Sequence, residues 1–165
     1  MRNTAFIFVT LLILVGLQVQ VSQACSGISC PYYFGTTPLR CVNKPGKRKK
    51  RSSSPTRSTI AITHRYLYYR GYYMEFGGTR SGGYAKVGTY RWGSRCSADT
   101  ESRPAGWSRV SLDCMRKCAD SYKWMYGSFH WYNNNCHDFA NRMARVLYDG
   151  RYSSSYCPWW CTYRK

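Results

Sequence analysis

The chain has 165 residues, 44% of them hydrophobic, and carries 25 Lys and Arg against 7 Asp and Glu, a formal net charge of +18. The apolar content is too high for an intrinsically disordered chain. The basic excess excludes cationic partners and favours an anionic substrate or surface, such as lipid headgroups or cell-wall and glycan polymers.

Taken in chain order, Arg2 gives a positive start, residues 5–17 are apolar and uncharged, and Ser22 and Ala24 are small residues at the two positions a signal peptidase reads. Residues 1–24 are therefore read as a secretory signal peptide, because the apolar run is too short to span a bilayer. No second long apolar run follows, so no transmembrane segment is expected. The product is expected to be secreted and extracellular, which sets aside a specific nucleic-acid partner. All nine cysteines lie after residue 24, in what would be an oxidising compartment where most should pair.

Residues 25–51 form a cysteine-containing N-terminal segment that ends in a dense basic run. Arg48-Lys49-Lys50-Arg51 has the form cut by furin-like proteases, and Ser52-Ser53-Ser54-Pro55 continues it as an exposed linker. Residues 52–165 form the remaining unit, one domain's worth of chain. Residues 58–69 are rich in Thr, Ile and Tyr, which is strand composition. Arg70-Gly71 interrupts them and residues 72–76 resume, which predicts a β-hairpin closed by Gly77-Gly78. Residues 84–92 look like a further strand, and residues 93–107 read as a polar loop.

Residues 111–126 read as a helix, with Leu112, Met115, Cys118 and Tyr122 at helical spacing. Residues 130–132 suggest a short strand, and His130 is expected to pack in the core. Asn133-Asn134-Asn135 is a helix-start signal. From Cys136 an apolar stripe runs through Phe139, Ala140, Met143, Ala144 and Leu147 to Gly150, which can end a helix in the left-handed conformation. The tail, residues 156–161, reads as an aromatic turn bearing Cys157 and Cys161. The fold class expected from these elements is α+β: a small antiparallel sheet packed with helices and stapled by disulfides.

Cys136 opens a predicted helix, where the helix dipole stabilises a thiolate. His64 lies on the strand that opens the hairpin. A strand histidine facing a helix-start cysteine is the geometry of a papain-like thiol dyad. The stretch from His64 through Gly71 to Phe76-Gly77 resembles the first motif of the PPPDE peptidase family, and Asn135-Cys136-His-Asp-Phe139 resembles its second. Lecithin retinol acyltransferases and NlpC-type amidases look like relatives, and the first share the order of histidine before cysteine. The resemblance covers about residues 59–149. It implies a permuted papain-like fold, Cys136 as nucleophile and His64 as general base, with Glu75 in the same hairpin as candidate third member. The function so implied is a secreted thiol hydrolase or acyl-transfer enzyme acting on an amide, ester or thioester, without a cofactor.

Two other readings stay open. Cys136-His137-Asp138-Phe139 also looks like the active-site helix of secreted phospholipase A2. There His137 would activate water, Asp138 would help hold calcium, and Cys136 would sit in a disulfide. The third reading is a non-enzymatic basic, aromatic-rich binding protein or toxin. No paired short-spaced metal-ligand set is present, so no metal site is expected. With Cys136 free, eight cysteines remain: Cys25, Cys30 and Cys41 before the basic run, and Cys96, Cys114, Cys118, Cys157 and Cys161 after it. If all eight pair, an odd number of bridges joins the two groups, so cleavage after Arg51 leaves two linked chains. Cys114 and Cys118 cannot readily bridge each other from one helix face, so they reach to the N-terminal segment or the tail.

Overall fold

The computed structural model describes residues 29–39, 63–78 and 82–163. Residues 1–24, Cys25, Cys41 and the basic run at residues 48–51 lie outside the described residues. The first strand, β1 (Cys30–Pro38), comes from the cysteine-containing N-terminal segment. It is followed by β2 (Thr63–Tyr69), β3 (Tyr72–Gly77), β4 (Tyr84–Gly88), β5 (Asp99–Thr100) and β6 (Gly106–Ser108). Three helices then complete the described chain: α1 (Leu112–Tyr126), α2 (Cys136–Asp149) and the short α3 (Trp159–Thr162).

The strands make one antiparallel sheet in the order β4-β3-β2-β1-β5, with β6 also on β1. β1 is therefore an inner strand, paired along its length with β2 and on its other edge with β5 and β6. Sequence reading placed no strand there, and it took residues 93–107 as loop. Part of that stretch instead supplies β5 and β6. The β2–β3 hairpin turns through Arg70 (φ 50°) and Gly71 (φ 83°), with Tyr69 opposite Tyr72. Positive φ at both central residues gives the turn whose twist suits a two-residue hairpin, and glycine takes it without steric cost.

One face of the sheet carries the core. Leu67, Tyr69, Met74 and Phe76 point to it and are fully buried. They meet Met115 and Tyr122 of α1 and Phe139, Met143 and Leu147 of α2, the stripe that the 3.6-residue period marked out. Phe76 packs on both Tyr122 (4.9 Å) and Phe139 (5.8 Å), so the second hairpin strand is clamped between the two helices.

The helix ends explain their boundaries. Ser111 caps α1 by accepting from the Cys114 amide. Asn135 caps α2, and Asp138 returns the bond to the Asn135 amide in a capping box. Gly150 closes α2 at φ −91°, not in the left-handed conformation expected. Its value is close approach, since a Cβ there would run into Tyr156 and Val110. Residues 130–132 form no strand. His130 makes an isolated bridge to Asn134 and is exposed.

Two disulfides, Cys114–Cys157 and Cys118–Cys161, tie α1 to the tail. The i,i+4 spacing of Cys114 and Cys118 on α1 matches that of Cys157 and Cys161 in the tail, and the two bridges fix the tail's position on the helix. Of the two destinations open to Cys114 and Cys118, the tail is the one observed. Cys96 is also disulfide-bonded. Cys30 lies fully buried in the core.

Candidate active site

The site begins where the sheet splays. The β2–β3 ladder runs only from Tyr69–Tyr72 to Leu67–Met74, while β2 stays paired with β1 back to Thr63. The start of α2 docks on the edge of β2 that this opens. The Arg65 amide donates to Cys136 Sγ at 3.5 Å. The Thr63 carbonyl accepts from His137 Nε2 at 2.8 Å and lies 3.7 Å from Cys136 Sγ. Residues 63 and 65 share a backbone direction because the strand repeats every two residues.

His64, between them, sends its ring the other way. Its Nε2 meets Glu75 Oε1 at 3.0 Å, and its ring lies near enough to the Cys136 side chain for the two to couple electrostatically. Glu75 is fully buried, and its second oxygen accepts from the Trp92 amide at 2.7 Å. The Trp92 indole lies 5.2 Å from the His64 ring. The structure thus groups Cys136, His64 and Glu75, two from the hairpin and one from α2.

The electrostatics follow from this packing. Burial disfavours charge on His64, but Cys136 beside it and the hydrogen bond to Glu75 outweigh this and raise its pKa to about 9. Burial likewise disfavours the thiolate, but the His137 and His64 side chains beside it, the positive charge of His64 and the Arg65 amide carry the Cys136 pKa down to about 6. Each group stabilises the other's charged form, and Cys136 and His64 are 6% and 4% exposed, so little water screens the pair. Between pH 6 and 9 the favoured state is thiolate and imidazolium.

The helix start supplies fewer spare donors than its sequence suggests. Asn135 Oδ1 takes the amides of His137 and Asp138. The amide of Cys136 itself is left as the helix-start donor beside the sulfur.

His137 and Asp138 do not form a working pair in this arrangement. His137 Nε2 engages the Thr63 carbonyl, and the Asp138 carboxylate accepts from the Asn135 amide at 3.1 Å. Cys136 forms no disulfide, whereas the phospholipase reading required one.

Some site residues escaped sequence reading. Asn134 is a staple and not a cap: its Oδ1 accepts from Tyr122 and Arg142, and its Nδ2 donates to the carbonyls of Tyr126, Gly127 and Ser128. It fixes the connection that delivers Cys136. Arg65 is fully buried, reaches Asn141 at 3.4 Å and lies over the Phe34 ring. The run of three asparagines was the only signal for the first. For the second nothing marked one arginine among so many basic residues.

No family model matches the chain, and neither a curated protein nor a solved structure matches it. The site is therefore defined by its own geometry: a buried cysteine–histidine–glutamate group at the junction of a β-hairpin and a helix N-terminus.

Proposed function

We propose that the chain is a thiol hydrolase or acyl-transfer enzyme acting on an amide, ester or thioester. The observation that carries this reading is the buried Cys136 at the start of α2 beside a His64 whose Nε2 is held by the Glu75 carboxylate at 3.0 Å, a setting that lowers the cysteine pKa and raises the histidine's. Structural ion pairs perturb pKa values too, but a low-pKa cysteine oriented through a histidine and a third polar group is the arrangement a thiol nucleophile needs.

The steps follow from the groups present. The Cys136 thiolate attacks the carbonyl carbon, and the carbonyl π pair moves onto oxygen. The Cys136 amide hydrogen-bonds that oxyanion. The imidazolium of His64 gives its proton to the leaving amine, alcohol or thiol as the carbon–leaving-group bond breaks, and an acyl thioester remains on Cys136. Neutral His64 then takes a proton from water or an acceptor nucleophile, which displaces the sulfur and regenerates the pair. Glu75 holds the ring in position and stabilises its positive form.

The order of parts, histidine strand before cysteine helix, supports a permuted papain-like relationship to PPPDE and lecithin retinol acyltransferase-like enzymes. The apolar N-terminal run supports secretion, and the positive charge supports an anionic substrate or carrier. The engagement of His137 and Asp138 elsewhere weighs against the phospholipase A2-like reading. A cysteine activated in this way weighs against a purely adhesive protein.

Activated nitrophenyl acyl esters test the reading. A burst of one nitrophenolate per chain is expected, with the acyl mass on Cys136, and Cys136→Ser should abolish both. Turnover that survives Cys136→Ser but depends on calcium and is lost in His137→Gln would replace this reading with the phospholipase one.

A further inference from the structure

Two loops border the candidate site, and both end in exposed aromatic rings. Tyr90, Trp131 and Tyr132 are 75%, 76% and 72% exposed. The first loop reaches the site through Trp92, whose ring lies against His64 and whose amide binds Glu75. The second reaches it through Asn135, whose Nδ2 donates to the Trp131 carbonyl at 3.0 Å. The His130–Asn134 bridge closes residues 131–133 into a tight tip, so Trp131 and Tyr132 are held outward by backbone. The Phe129 amide, before the second loop, donates to the Gly82 carbonyl just before β4.

Exposed tryptophan and tyrosine side chains on a monomer mark a contact surface when they cluster. Here the surrounding charge is mostly positive. Residues 82–96 contain Lys86, Arg91 and Arg95 and residues 123–134 contain Lys123, without an Asp or Glu in either stretch; Arg91 is spent on the carbonyls of its own loop, and Asp138, which accepts from the Asn135 amide, is the acid beside the second loop. Amphipathic rings at loop tips over a cationic base match the two layers of an anionic bilayer surface: rings at the headgroup–acyl boundary, cations at the phosphates.

We infer that these two loops are a docking surface for anionic lipid membranes, which places the Cys136 site at the membrane face. The docking stands on the exposed rings and local charge alone. Its use to present a membrane-borne carbonyl to Cys136 rests on the thiol reading.

Co-sedimentation with vesicles separates the two. Wild-type protein and Cys136→Ala should bind phosphatidylcholine vesicles containing phosphatidylserine equally well, and pure phosphatidylcholine vesicles far less. Trp131→Ser/Tyr132→Ser should lower binding to the anionic vesicles by about tenfold or more, and Tyr90→Ser should lower it further. Hydrolysis of a soluble nitrophenyl ester by these variants should be unchanged. Failure of the wild type to bind anionic vesicles, or binding by the double variant at the wild-type level, overturns the proposal. Retention on immobilised heparin without vesicle binding also overturns it and assigns the surface to a polyanionic glycan. Vesicle binding by a protein that forms no acyl-enzyme would leave the docking surface standing and remove the thiol reading instead.

Discussion

His64→Ala is expected to return the Cys136 thiol from a pKa of about 6 toward its ordinary value near 8.5, and to slow acyl transfer by about 10⁴-fold. Two losses combine. The sulfur loses the positive charge that holds it ionised, and the leaving group loses its proton donor. In the wild type the rate of acyl-enzyme formation should trace a bell, rising as pH passes about 6 and falling as it passes about 9. The variant should retain only a single rising limb at higher pH. Fold stability should behave differently. The raised histidine pKa contributes stability that is full below about 6.5 and is lost as pH climbs through 9. The lowered cysteine pKa contributes stability that is full above about 9 and is lost as pH falls through 6. Between these limits the two slopes oppose each other, because folding moves a proton from sulfur to imidazole without net uptake. Activity should therefore vary strongly with pH while the unfolding temperature stays nearly level. Stopped-flow acylation and thermal melts across the same buffers measure both.

Glu75→Leu is expected to destabilise the fold by about 3–5 kcal/mol and to remove activity. Glu75 is fully buried and holds two partners, His64 Nε2 and the Trp92 amide. Leucine of similar volume leaves both without an acceptor inside the protein. Because such a variant can fail to fold, Glu75→Gln is the informative companion. Its carbonyl oxygen can still accept from one donor, so melting should fall by much less. The negative charge beside imidazolium is gone, so the His64 pKa should drop and the Cys136 pKa should rise by about one unit. A Gln variant with wild-type thiol ionisation and wild-type turnover would remove Glu75 from the site and make it a structural acceptor only.

The parts of this fold that sequence reading reached are those with a local physical signature. The hairpin was marked by Arg70-Gly71 between β-rich runs, and α2 by Asn135 and the stripe from Cys136 to Leu147. The pairing of His64 with Cys136 was suggested by resemblance, since nothing local to either residue encodes a contact between them. What sequence missed was set by tertiary pairing. Cys30–Pro38 is broken by Pro31, Gly35 and Pro38 and reads poorly as a strand, yet it pairs on both edges, and Gly35 is required where the Tyr66 ring crosses. β5 and β6 are two and three residues long and exist only because β1 offers them an edge. Gly150 was taken for a left-handed cap when its role is to let Val110 and Tyr156 approach. Asn135 and Asp138 illustrate the site itself: the motif was visible, but the aspartate's role in the capping box required the helix to be seen.

The most direct test is the ionisation of Cys136 in the native protein. Alkylation by iodoacetamide, mapped by mass spectrometry and followed against pH, should label Cys136 with a midpoint near 6 and be fast at neutral pH, while His64→Ala shifts the midpoint upward. A midpoint near the ordinary thiol value of about 8.5, or Cys136 recovered in a disulfide, would contradict the thiolate–imidazolium pair on which the proposed chemistry depends.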